Sequence, residues 1–315
     1  MPEEPRAHTE GVLTVVPARH TGRRVAVAVI IVLIALVIQT LVTNPRFQWE
    51  VVGEFLFSAP ILQGLLKTLM LTAVTMVLGI LIGVVMAVAR LSPNPILSGA
   101  AWFYSWFFRG TPLLVQLLFW YFLSALFPML VLGVPFGPSL FEVSTNDLIS
   151  PLSAAILGLA LNEGAYMGEI VRAGLMAVSP GQTEAAEAIG MTRIQVMRRV
   201  VLPQAMRIII PPTGNETIGM LKNTSLVLVI GYAELLTSAS LIYSRTFQTI
   251  PLLIVAALWY LFVTALLSIA QYYIERHYGR GFHPAVQHKG RKRDLVKTPE
   301  IVVAPAETLP EMRTH

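Results

Sequence analysis

Four polar residues interrupt one of the most apolar stretches of this chain: Asn162, Glu163, Tyr166 and Glu169. Asn162, Tyr166 and Glu169 recur at helical spacing and share a face, with Glu163 beside Tyr166. A carboxylate at bilayer depth is costly and faces a cavity or a partner. The chemistry open to it is reception of an ammonium or guanidinium group; the structural alternative is hydrogen bonding between helices. A second polar set, Glu216 and Lys222, stands among Pro211, Pro212, Gly214, Asn215 and Asn223. Glu216 and Lys222 are six apart, so they form no same-face pair. The prolines and Gly214 predict a bent helix near a pathway. Together Asn162, Glu163, Tyr166, Glu169, Glu216 and Lys222 are the candidate lining of a substrate pathway. Arg109, before Gly110-Thr-Pro112, is read as an anchor at the inner end of a span, in preference to a carboxylate clamp.

Other chemistry is excluded by composition. There is no cysteine, hence no thiol nucleophile, disulfide or Cys-based metal site. All six histidines lie in polar tails, and the spacing of His277, His283 and His288 matches no metal site.

The elements that must position the polar residues are membrane spans. Of the 315 residues 55% are hydrophobic and 13% charged, and mean hydropathy is +0.66. Soluble domains carry about 25% charge, so an all-α membrane protein is expected. Six transmembrane helices are predicted: Val25–Val42, Leu65–Ala89, Pro112–Val131, Ser153–Val171, Ile208–Ile230 and Leu252–Ala270. The aromatic run Trp102–Phe108 either lies at the interface or extends the third span. Val25–Val42 lacks a cleavage site after it and is long for a signal peptide, so it is read as retained. The net charge of +5 is read through its placement rather than as nucleic-acid binding. Lys and Arg gather in alternate loops and in the C-terminal tail, which puts both termini in the cytoplasm. The expected divisions are a tail at 1–24, an extra N-terminal span at 25–43, a core at 64–276 and a basic tail at 277–315 expected to be disordered.

The inner loop at 179–203 holds more local order than a connection needs. It reads Ser179-Pro-Gly-Gln-Thr-Glu-Ala-Ala-Glu-Ala-Ile-Gly190, then Met191 to Pro203. Ser179 with Gln182 and Thr192 with Gln195 have the spacing of capping boxes, and Pro180 suits a first turn. Gly190 ends the first helix and Pro203 limits the second. Ala185 and Ala186 permit close approach of a surface, with Glu184 at its edge. Two short capped helices in such a loop predict a dock for a soluble partner.

Glu184-Ala185-Ala186, Gly190 and Val200-x-Leu202-Pro203 resemble the EAA motif of ABC importer permeases. Phe108-Arg-Gly-Thr-Pro-Leu-Leu-Val-Gln116, Leu161–Arg172, Ser179–Gln182 and Leu221–Ser225 resemble the polar amino-acid, histidine/glutamine-type branch. Glu163 departs from the family's usual small polar residue. The resemblance implies a five-span type I importer core, here with one added span, in a bacterial plasma membrane. It implies docking of an ABC ATPase dimer through Glu184, Ala185, Ala186, Gly190, Leu202 and Pro203. A second permease subunit, identical or homologous, and an extracytoplasmic amino-acid-binding protein complete the assembly. The chain has no phosphate loop of the G-x-x-x-x-G-K-[ST] type, so no catalysis or cofactor is assigned to it; ATP and Mg belong to the partner ATPase.

Two other classes compete. An ion-coupled transporter or channel would use the intramembrane charges directly but needs no ATPase dock. It is disfavoured also by the lack of an internal repeat. A membrane enzyme would have to rest on carboxylates such as Glu163 and Glu169, and it too leaves the 179–203 loop unexplained.

Overall fold

The computed structural model describes residues 21–133 and 139–278. The tail at 1–20, nearly all of the 277–315 tail, and His8, His20, His283, His288 and His315 therefore lie outside the described residues. Helices dominate: α1 (Thr21–Thr43), α2 (Trp49–Leu56), α3 (Ala59–Arg90), α4 (Pro95–Gly110), α5 (Leu113–Tyr121), α6 (Leu123–Leu126), α7 (Thr145–Leu148), α8 (Pro151–Met176), α9 (Pro180–Ala188), α10 (Arg193–Val196), α11 (Leu202–Asn223), α12 (Leu235–Thr246) and α13 (Thr249–Tyr278). One antiparallel hairpin, β1 (Met129–Gly133) with β2 (Ser139–Ser144), interrupts them.

Three helices are long and apolar enough to span a bilayer by themselves: α1, α3 and α13, with mean hydropathies of 3.1, 2.6 and 2.5 in their most apolar 18-residue stretches. The other predicted spans also have helical counterparts, with sequence-specific interruptions. The third is not Pro112–Val131. It is α4 followed by α5, because the aromatic run belongs to the helix and the break falls at Gly110–Pro112. Leu130 and Val131, assigned to that span by hydropathy, pair with Val143 and Glu142 in the hairpin. The fourth, α8, has 26 residues and carries the polar set. The fifth, α11, continues as helix through Pro211 and Pro212. The sharp turn comes later: the helical run Arg193–Ile230 meets α12 at 45°, across Gly231, whose φ is +73°.

The axis of the bundle is the α3–α8 pair. A Cβ placed on Gly79 would meet Glu163 Cγ at 2.5 Å, and one on Gly83 would meet Met167 Cβ at 2.5 Å. Both contacts join residues 84 apart, so α3 and α8 run parallel in constant register. Glycine is needed at Gly79 and Gly83 because no side chain fits between these backbones. The helix pair gains dispersion contacts and close-approach packing, which drive association where lipid is as apolar as leucine. Around it Leu71, Met76, Leu117, Ala154, Ala155 and Leu159 form a buried cluster. By contrast α1 is exposed along its length and is anchored by Trp49 Nε1 donating to the Leu41 carbonyl at 2.8 Å.

Candidate functional site

The polar cluster is built at the break between α4 and α5. Pro112 brings no N–H to the next turn, and the chain opens from Phe108 to Thr111. Two buried amides close it. Asn162 Nδ2 donates to the Phe108 carbonyl at 2.8 Å and to Gln116 Oε1 at 3.2 Å. Gln116 Nε2 reaches the Phe108 carbonyl at 2.9 Å and Thr111 Oγ1 at 2.7 Å. Asn162 is 8% exposed and its amide is committed to this splice. Its position fixes depth: α8 runs from 151 to 176, so the break lies level with the middle of α8. Arg109 is therefore a mid-bundle residue, not an anchor at the inner end of a span. The misreading followed from starting the third span at Pro112.

Arg109 projects from the break over the Tyr166 ring, with its guanidinium carbon 5.3 Å from the ring centroid. Cation–π contact of this kind orients the guanidinium while leaving its N–H donors free. Glu216, half-buried on α11, lies within electrostatic range of both Arg109 and Glu163. Glu163 itself is 3% exposed and lodged against Gly79, with Oε1 lacking a hydrogen-bond partner among the described residues. The structure thus gathers Asn162, Glu163, Tyr166 and Glu216 from the predicted set and adds Arg109 and Gln116. It sets Glu169 apart, in an ion pair with Arg172 one turn on, at 2.6 Å. Lys222 stands exposed at the far end of α11. Asn215 Oδ1 accepts from Gln271 of α13, which also donates to the Pro211 carbonyl beside the helix-interior prolines.

Local rules shape the 179–203 loop as well. Thr192 and Gln195 form the predicted reciprocal capping box. The box at Ser179 does not form. Ser179 makes no side-chain cap, and Gln182 Oε1 instead accepts from Gln204 Nε2 at 3.5 Å. Gly190, at φ +83°, turns the chain after α9. Ala186 is buried with Val196 and Val201, whereas Glu184 and Ala185 are exposed. Pro203 does not end the second short helix. A π-helical turn, Met197–Val201, carries α10 straight into α11, and Pro203 occupies the first turn of α11. The wider turn gives room for the Pro203 ring against the preceding carbonyls, one of which is left without the N–H that proline lacks. Beside Gly190, Ile189 is 74% exposed and Ile194 72% exposed. Two isoleucines in a polar loop are the sequence sign of this exposed apolar patch, which the EAA-type motif does not include.

Residues 79–280 match the model of the binding-protein-dependent transport system inner membrane component. The chain belongs to this family. The permease is 46% identical over 267 residues to the arginine transport system permease protein ArgU of Corynebacterium glutamicum, covering 84% of this chain and 83% of that one. It is 38% identical to the probable amino-acid permease protein YxeN of Bacillus subtilis, covering 71% and 94%. Among solved structures, an amino acid ABC transporter crystallised with histidines superposes with a TM-score of 0.58 at 37% identity, covering 69% and 94%. The inward-facing MetNI methionine transporter, at 20% identity and TM-score 0.55, shares the fold. The match begins at residue 79, so α1 and α2 of this permease stand outside it.

Proposed function

We propose that this permease subunit forms the membrane pathway of an ATP-driven ABC importer for amino acids, and that cationic amino acids are its foremost cargo. The observation that carries this is the α4–α5 break. There one guanidinium, Arg109, and two carboxylates, Glu216 and Glu163, converge at mid-bundle. An amino acid brings a carboxylate for Arg109 and an ammonium for Glu216. With two acids against one base, acceptor capacity remains for a cationic side chain. The 46% identity to a permease named for arginine transport supports this reading. Glu216 faces the ligand, while Glu163 lies behind it against Gly79. Tyr166 orients Arg109, and Asn162 ties the break to α8.

The remaining assignments follow the family. Glu184, Ala185, Gly190, Ile189 and Ile194 meet the ATPase, which binds ATP and Mg; Ala186, Leu202 and Pro203 shape that surface. Lys222 lies on the pathway, and Glu169 braces Arg172. A second permease subunit and an external binding protein complete the importer. The core is 64–276, the N-terminal span is an addition to it, and both termini are cytoplasmic.

Reconstitution in vesicles with the ATPase and binding protein tests the reading. Glu216→Gln should lower L-arginine uptake by about tenfold, the value of one charged hydrogen bond, while basal ATP hydrolysis persists. Gly190→Leu forces a branched side chain into φ +83° and should uncouple hydrolysis from transport with every span inserted. Full arginine uptake in the Glu216→Gln variant defeats the substrate assignment; full coupling in Gly190→Leu defeats the docking assignment.

A further inference from the structure

At the end of the bundle remote from the 179–203 loop, α3 and α12 enclose a cleft of about 380 Å³. Gln63, Lys67, Ser238 and Arg245 supply its polar lining, and Phe55 and Leu241 are among its apolar walls. The constant α3–α8 register places Lys67 level with Pro151, the first residue of α8, so the cleft stands at the mouth of the bundle. It is roughly 18 Å from the Glu163 level, at 1.5 Å per helical residue.

The cleft is lined by two cations and by no acid, and the nearby Glu234 is turned into hydrogen bonds away from it. Glu234 is 0% exposed and takes hydrogen bonds from Thr68 Oγ1, Leu236 N, Thr237 N, Thr237 Oγ1 and Tyr260 Oη, at 2.7 to 3.2 Å. Among the described residues, neither Lys67 nor Arg245 is ion-paired with an acidic side chain. Lys67 Nζ sits 6.0 Å from the Tyr232 ring centroid, and Glu50 and Glu54 of α2 do not line the cavity. The walls are also fixed. Thr68 receives the Leu235 N–H at 3.0 Å, and Ser238 Oγ occupies the place a Cβ on Gly64 would take.

We propose that this cleft is a carboxylate-binding site at the mouth of the permease, which receives the α-carboxylate of an incoming amino acid on Lys67 and Arg245 before it reaches mid-bundle. Its concavity suits a small molecule, and Phe55 and Leu241 offer a surface for the side-chain methylenes. The proposal rests on the amino-acid reading above. It divides recognition in two: the mouth reads the group common to all amino acids, and the mid-bundle acids read the cation.

The chain has no cysteine, so Gln63→Cys gives one thiol in the cleft. In the assembled transporter, labelling at residue 63 is followed with thiosulfonates bearing a sulfonate or a trimethylammonium group. The anionic reagent should react faster by on the order of tenfold relative to the cationic one. In Lys67→Gln and Arg245→Gln backgrounds that preference should vanish, while Lys67→Arg retains it. Millimolar L-arginine should slow labelling, and agmatine, which lacks the carboxylate, should not. Absence of a charge preference, or equal protection by agmatine, overturns the site. Protection by the binding protein irrespective of bound amino acid also overturns it, since the cations would then dock that protein. If wild-type vesicles take up arginine while the cleft tests fail, only the cleft is wrong. If they take up no amino acid, the transport reading fails first.

Discussion

Glu163 and Glu234 are both buried acids inside the bundle, yet they are built in opposite ways. Glu234 caps α12 and draws donors from α3, α12 and α13, so both of its oxygens are fully engaged. Glu163 has one oxygen without a partner and a glycine pressed against its stem. A buried polar group that is fully bonded is a structural rivet. One left open is retained only where something else completes it. The comparison separates an acid that holds the scaffold from an acid left open, which the proposed function assigns to the pathway.

The largest effect should come from the rivet. Glu234→Leu leaves the Tyr260 hydroxyl and two backbone N–H groups without an acceptor. It should destabilise the assembled protein by about 3–5 kcal/mol, since each buried donor left unsatisfied costs about 1–3 kcal/mol. Thermal unfolding in detergent measures this; an unchanged midpoint would erase the distinction drawn here. Next is Gly79→Ala. Its methyl enters the space of Glu163 Cγ, an overpacking worth about 1–3 kcal/mol. Combining it with Glu163→Ala should recover most of that loss, and a strictly additive double variant would mean that the two residues do not touch. The smallest stability effect, within about 1 kcal/mol, should come from Glu163→Gln, because no hydrogen bond of the carboxylate's free oxygen is lost. Its consequence should instead appear in transport, as weaker uptake of cationic amino acids than of neutral ones. A variant that unfolds would place Glu163 in the same class as Glu234.

The two acids also differ in how readable they were. Glu163 could be found because a charge inside Leu161–Arg172 violates the surrounding hydropathy. Glu234 could not, because Gly231-Tyr-Ala-Glu234 resembles any polar turn, and its partners Thr68 and Tyr260 lie in other spans. Long apolar helices such as α3 and α13 were legible from composition. The α4–α5 span was displaced because hydropathy does not distinguish the aromatic helix 102–108 from an interfacial belt, and because the hairpin strand Met129–Val131 is as apolar as a span. That displacement hid Arg109. In the 179–203 loop, the capping box of Thr192 and Gln195 and the turn at Gly190 depend on nearest neighbours and were legible in the sequence. The Ser179 cap failed because Gln182 found a partner 22 residues away, at Gln204.

The π-turn at Met197–Val201 joins the 179–203 loop to α11 without a break in the helix. The helix that carries Glu216 begins where that loop ends, and its 22 residues form a shaft roughly 33 Å long. Glu216 sits about 21 Å along it. A tilt of about 10° about the base would carry that carboxylate through an arc of roughly 4 Å, more than a hydrogen bond can stretch and survive. In mechanical terms α11 is a lever: under the proposed function a tilt applied at the 179–203 loop would be returned, magnified by the length of the rod, at Glu216.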